Sequence, residues 1–167
     1  DETFARAEEL GRLLAREEGK PLRDGIAEAG RAARILDFFA GEALRAGGEK
    51  LDSVRPGIEV DVTREAVGVV GLITPWNFPL AIPAWKLAPA LAFGNAVVLK
   101  PAELVPACAW ALADILQRAG LPPGVLNLVL GKGTVVGEAI LRDPRVEAVH
   151  FTGSVATGRR VAEACAR

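Results

Sequence analysis

Methionine is missing from the chain altogether, even at position 1, and histidine occurs once. The first residue is Asp1, and the last stretch, Ala162-Glu-Ala-Cys-Ala-Arg167, runs inside a helical pattern with no C-cap signal. Both ends therefore read as cuts within a longer protein. With one histidine there is no metal cluster to build, and His150 sits in the strand-like run Val146 to Phe151. There are only two cysteines, Cys108 and Cys165, both on helical patterns and neither beside a metal-ligand partner. That excludes a zinc ribbon or a disulfide framework. The expectation is free thiols in the reducing cytoplasm, with a single disulfide as the alternative. Net charge is nearly absent, with twenty basic residues against twenty-one acidic ones and no block of one sign. No field points to nucleic acid or an anionic membrane. Long apolar runs are lacking too: the stretch from Val67 to Thr74 is far too short to span a bilayer. No basic, apolar leader opens the sequence, and there is no low-complexity tract or internal repeat.

What is present suits one globular domain: 167 residues, half of them apolar and a quarter charged. Phe4, Ala7, Leu10, Leu13 and Leu14 recur at helical spacing and predict a helix over 3–18, ended by Gly19-Lys-Pro21. Ile26, Ala29, Ala33, Leu36 and Ala40 predict a second helix over 24–46, ended by Gly47-Gly48. Ile58, Val60 and Val62 then alternate with Glu59, Asp61 and Thr63 behind a Pro56-Gly57 turn, the period of a strand or hairpin arm with one wet face. From Val67 onward strands and helices alternate. Strands are expected at 67–74, 96–100, 125–130 and 146–151. Helices are expected to about Phe93, over 105–119 and 134–141, and from Ser154. Strands so nearly all apolar predict an α/β fold, a Rossmann-like parallel sheet with helices on both faces.

Ligands of open parallel sheets bind beyond the carboxyl ends of the strands, and all four ends carry polar groups or glycines. The first is Thr74-Pro-Trp-Asn-Phe-Pro79. Its Asn77 is held between two aromatics and two prolines, which suits an amide that stabilises an oxyanion or a turn asparagine bonded to its own backbone. The second is Lys100-Pro-Ala-Glu103. This pair could bind ribose hydroxyls, or be an ion pair contributing about 0–1 kcal/mol. The third, Gly131-Lys-Gly133, continues to Gly137. Its spacing is not G-x-G-x-x-G, and it reads as a close approach to an anion at a helix N-terminus or as an ordinary turn. The fourth is Thr152-Gly-Ser154, where Ser154 caps a helix, holds a phosphate, or both.

Five stretches in order carry a resemblance: Thr74-Pro-Trp-Asn-Phe-Pro79, Ala84-Trp-Lys-Leu-Ala-Pro-Ala-Leu-Ala-Phe-Gly-Asn95, Val98-Leu-Lys-Pro-Ala-Glu103, Pro122-Pro-Gly-Val-Leu-Asn127 and Phe151-Thr-Gly-Ser154. Together they resemble the NAD(P)-dependent aldehyde dehydrogenase superfamily over the whole chain, the two leading helices more loosely. The resemblance implies that Asn77 donates its amide to the oxyanion. It implies that Thr74, Pro75, Trp76, Lys100, Glu103, Gly133, Gly137, Phe151, Thr152, Gly153 and Ser154 line the cofactor, with Lys100 and Glu103 at the adenosine ribose and Ser154 at the pyrophosphate. Phe78 and Trp85 border the substrate passage, as Trp76 does. A carboxylate at Glu103 favours NAD over NADP. Implied for the parent are an aldehyde substrate and a homo-oligomer, dimer or tetramer, assembled through the arm.

On this resemblance the chain divides into N-terminal helices (1–47), an oligomerisation arm (48–66) and a cofactor domain (67–167). The nucleophilic cysteine and the base, a glutamate in a Glu-Leu-Gly-Gly stretch, are expected beyond Arg167; neither Cys108 nor Cys165 matches the nucleophile. Phe38-Phe-Ala-Gly-Glu-Ala43, Val54-Arg-Pro-Gly57 and Gly153-Ser-Val-Ala-Thr-Gly-Arg-Arg160 look like the branch oxidising 2-oxoglutarate semialdehyde and related semialdehydes. Alternatives are a coenzyme-A-acylating parent, a nucleotide-binding module without catalysis, and an assembly module.

Overall fold

A computed structural model describes residues 2–166; Asp1 and Arg167, the outer limits of the expected first and last segments, lie outside the described residues. The first expected helix is divided into α1 (Glu2–Ala5) and α2 (Ala7–Glu18). Arg6 leaves helical geometry at ψ 16°, its guanidinium hydrogen-bonded to both Glu2 and Glu9. The backbone ladder still crosses it, from the Arg6 N–H to the Glu2 carbonyl at 3.0 Å. Helix α3 spans Leu22–Ala43. It starts two residues earlier than expected because Pro21, at φ −54°, already holds a helical φ, and it ends three residues earlier. Helices α2 and α3 touch backbone to backbone: a Cβ added to Gly25 would lie 2.5 Å from the Gly11 carbonyl oxygen. The arm is a hairpin, β1 (Glu49–Asp52) antiparallel to β2 (Glu59–Val62), with Leu51 opposite Val60 and every strand residue exposed.

The main sheet has four parallel strands: β3 (Val69–Ile73), β4 (Ala96–Lys100), β5 (Leu126–Leu128) and β6 (Val146–Phe151), in the order β5-β4-β3-β6. Helices α4 (Ala81–Ala92) and α5 (Pro106–Arg118) connect β3, β4 and β5. A π-helical turn, Gly133–Gly137, and α6 (Glu138–Arg142) lead to β6; α7 (Val155–Cys165) follows it. Strand period two sorts the layers. Val70, Leu72, Val97 and Leu99 face a core built with Leu80, Leu87 and Leu112, onto which α2 and α3 add Leu10, Leu14, Ala29 and Ala32. Gly71 points the other way, where a Cβ would meet Ile140 of α6 at 2.5 Å. Strand β5, at the sheet edge, is three residues long instead of the expected six. The chain then turns through Gly131 at φ +147°, where a side chain would also strike Val136 at 2.8 Å. Asn95 fastens the entry to β3, accepting the Val67 and Gly68 N–H groups at 2.8 and 3.1 Å and donating to the Ala90 carbonyl.

Candidate functional site

The backbone ladder continues past the strand ends. Thr74 N–H donates to the Lys100 carbonyl at 3.1 Å, and Thr152 N–H to the Ile73 carbonyl at 3.0 Å. The carboxyl ends of β3, β4 and β6 are thereby stitched side by side. The chain runs from β3 to β5 on one side of β3 and returns to β6 on the other, so the direction reverses between β3 and β6. Crevices at such a reversal are where open sheets bind ligands. A cleft of about 300 Å³ opens there, lined by Ile73, Glu103, Gly133, Gly137, Thr157 and Arg160, among others.

Three expected residues, Glu103, Gly133 and Gly137, line it, and Lys100 stands beside Gly133. Glu103 accepts the Gly133 N–H at 2.9 Å, and a Cβ added to Gly133 would come within 3.9 Å of the Lys100 ammonium. The ion pair weighed for Lys100 and Glu103 does not form among the described residues: the carboxylate has turned to the π-helical turn. Burial lowers the Lys100 ammonium below its usual range, and the charge of Glu103 opposes that shift only in part. Gly137 is buried against Ile73. The expected α-helix from Thr134 is a π-turn through Gly137, which aligns with this contact. Ser154 caps α7, its hydroxyl accepting the Thr157 N–H at 3.2 Å. Phe151 lies beneath the glycines of this turn, so a Cβ on Gly153 would meet its ring at 2.5 Å.

Asn77 lies elsewhere, in a second cleft of about 540 Å³ between the Trp76-Asn-Phe78 turn and α3. Its backbone carbonyl accepts the Lys20 ammonium at 3.2 Å, and that ammonium stands 4.4 Å from the Phe78 ring centroid. No bond from its side-chain amide to its own backbone forms among the described residues. Lys20 also bonds Glu28 and pairs with Glu18 at 2.7 Å. Burial pulls the Lys20 ammonium down, but these two carboxylates outweigh it and the net direction is upward. Glu28, buried on α3, uses its other oxygen to accept the Leu80 and Ala81 N–H groups at 2.9 and 3.0 Å, capping α4. Lys20 and Glu28 were missed by sequence reasoning. A signal existed for Glu28: it falls on the buried stripe of α3, with Gly25, Ala29 and Ala32. For Lys20 there was none, since the Asn77 carbonyl and the Phe78 ring that it meets lie in a segment 57 residues and more away. Trp76 and Trp85 are exposed, and Pro75 joins the two clefts along the chain.

Three further groups are shifted by burial outside these cleft linings. Lys86 of α4, also missed, is buried, and burial lowers its ammonium to about 8. His150 on β6 is lowered in turn, by burial and then by the Lys86 charge. Cys108 is buried, and burial with the nearby Glu17 carboxylate pushes its thiol far above the usual range. Glu17 accepts the Ala107 and Cys108 N–H groups at 2.6 and 2.9 Å and so caps α5. A thiol held this way is no nucleophile.

A parallel α/β sheet with a glycine-lined cleft at its reversal point defines the class of open-sheet, nucleotide-binding folds. The particular family follows from comparison: the profile of the aldehyde dehydrogenase family matches residues 1–167, and the chain belongs to that family. The 2,5-dioxopentanoate dehydrogenase of Saccharolobus solfataricus is 48% identical over 155 residues, covering 93% of this chain and 32% of that protein. An alpha-ketoglutarate semialdehyde dehydrogenase of Haloferax volcanii is 46% identical over 158 residues, covering 95% of this chain and 33% of its own. The betaine aldehyde dehydrogenase of Staphylococcus aureus, solved in complex with NAD+, matches with a TM-score of 0.97 at 38% identity, covering 99% of this chain and 33% of that one. The chain spans about a third of the length of the relatives it matches. Among the described residues no helix is long and apolar enough to cross a membrane.

Proposed function

We propose that this chain is the cofactor-binding part of a cytoplasmic dehydrogenase that oxidises an aldehyde, of the short-semialdehyde kind, to its carboxylic acid with NAD or NADP, NAD being favoured. The observation that carries the reading is the convergence of Glu103, Gly133 and Gly137 on one cleft, with Glu103 bonded to Gly133 at 2.9 Å and the Lys100 ammonium beside Gly133. The residues present fit a dinucleotide. Lys100 and the second oxygen of Glu103 would hold the adenosine ribose. Gly133, where an added Cβ would stand in ordinary contact with the Lys100 ammonium at 3.9 Å, would let the adenine lie on the backbone. The first turn of α7, behind Ser154, would receive the pyrophosphate. Thr74, Pro75, Trp76, Phe151, Thr152 and Gly153 would border the path between the clefts. A bound nicotinamide supplies the hydride acceptor. When a thiolate adds to the aldehyde carbon, the carbonyl electrons move to oxygen, and the Asn77 side-chain amide donates to that oxyanion. Phe78 and Trp85 exclude water from the passage. The thiolate, and the glutamate that activates water to release the acid, would come from outside these 167 residues, because Cys108 is buried and capped and Cys165 lies exposed on α7.

Calorimetric titration tests the cofactor half. NAD+ should bind the chain, NADP+ more weakly because a 2′-phosphate would meet the Glu103 carboxylate, and Lys100→Met should abolish both signals. Equal binding by the Lys100→Met chain would remove the cleft from the proposal. We further propose that the hairpin of β1 and β2 is an assembly arm. A two-stranded ribbon is marginal by itself, and Leu51, Val60 and Val62 leave it half-exposed and apolar.

A further inference from the structure

We propose that Arg31 of α3 is the anchor for a carboxylate at the far end of the aldehyde substrate, with Arg34 as its supporting charge. The inference rests on the reading of Asn77 as the oxyanion donor. Its basis is the charge left over in the second cleft. Three acidic residues line that cleft, and each is engaged. Glu28 caps α4 and bonds Lys20. Glu18 pairs with Lys20 at 2.7 Å, and Asp24 with Arg23 at 3.3 Å. Lys20 is engaged as well, by both glutamates, the Asn77 carbonyl and the Phe78 ring. Arg31 and Arg34 remain, exposed and without an ion pair or side-chain hydrogen bond among the described residues. They stand one turn apart on the stripe of α3 that also carries Asp24 and Ala27 and faces the Asn77 turn. The small Ala27 leaves room beside them. Arg34 also borders an apolar groove with Phe4 and Leu36 on its other side, whereas Arg31 belongs to this cleft alone among those described. A guanidinium receives a carboxylate through two parallel N–H···O bonds. An aldehyde with its carbonyl at Asn77 and a carboxylate a few carbons away therefore fits, and a cationic or neutral aldehyde leaves the arginines unanswered. Similarity alone does not decide this, because the matched proteins include a betaine aldehyde dehydrogenase beside the semialdehyde enzymes.

The test compares kcat/KM for succinate semialdehyde and for butanal, an uncharged aldehyde of equal length, in the complete dehydrogenase that carries this chain. Arg31→Met should lower the value for the semialdehyde roughly 10- to 100-fold, the worth of a charge-assisted hydrogen bond, and leave butanal unchanged. Arg31→Lys should recover part of the loss, and added salt should weaken the unsubstituted enzyme's preference for the semialdehyde. Asn77→Ala should depress both substrates alike. If Asn77→Ala depresses both but Arg31→Met depresses neither, or both equally, the anchor is refuted while the oxyanion reading stands. If Asn77→Ala depresses neither, the oxyanion reading itself fails, and this inference with it.

Discussion

By the proposed function Asn77 stabilises an oxyanion, whereas Lys86 is an amine held buried in the fold. An amide fixed in a stiff turn contributes only where charge develops, so Asn77→Ala in the complete enzyme should cost about 2.7–4 kcal/mol of transition-state stabilisation, the range seen for oxyanion donors. Turnover should fall much further than NAD affinity; unchanged turnover would refute the role. Lys86 makes a pH prediction. Its ammonium titrates near 8 in the folded chain and near 10.5 when exposed. Between those values the unfolded chain holds a proton that the folded chain has released, so stability rises with pH across the window. Lys20 acts oppositely: raised in the fold, its contribution is present below 10.5 and is lost as pH climbs through its folded value. Denaturant midpoints from pH 7 to 10 should therefore slope upward, and in Lys86→Met that slope should flatten while stability near pH 7 increases. A slope that persists in the variant would show that another group causes it.

Among the elements, the N-terminal helix pair is a brace for the sheet. Glu17 at the end of α2 caps α5, and Glu28 within α3 caps α4. Each carboxylate joins a helix start to a segment more than fifty residues away in sequence. Glu28→Ala would break the buried pair with Lys20, leaving Lys20 to Glu18, and leave the Leu80 and Ala81 donors unsatisfied. Breaking a buried pair in this way costs about 3–5 kcal/mol, to be read as a shift in urea midpoint; a shift below 1 kcal/mol would show that water replaces the carboxylate. Gly25→Ala should also destabilise, by about 1–3 kcal/mol of overpacking, since its methyl would press on the Gly11 carbonyl. Differential scanning calorimetry would register it as a lowered Tm, and an unchanged Tm would mean that the helices can part without loss.

For the molecule as a whole, the two clefts are separate, with the proposed cofactor residues at the strand ends and Asn77 against α3. By the proposed function this chain alone should bind NAD+ without turning over an aldehyde. NADH formation by the purified chain, followed by absorbance, would overturn that. The assembly arm predicts a second behaviour. Val60→Lys should reduce the assembled size in light scattering, because it sets a charge on the apolar face of the hairpin; a size unaffected by the change would count against the arm.

Much of this was legible in the residues. The alternation of apolar strands with helices specified the parallel sheet, because strands buried on both faces must be apolar throughout, and β4 and β6 fall where the pattern puts them. The hairpin and the cap at Ser154 were legible for the same reason: each depends on neighbours in sequence. Only the tertiary structure decided that Glu103 turns from Lys100 to Gly133, that Lys20 and Glu28 hold the Asn77 turn, and that Arg31 is left without a counterion among the described residues. Those are contacts between segments 30 to 57 residues apart or charges left over after such contacts are made, and no local period or spacing records a partner that folding brings in from a distance.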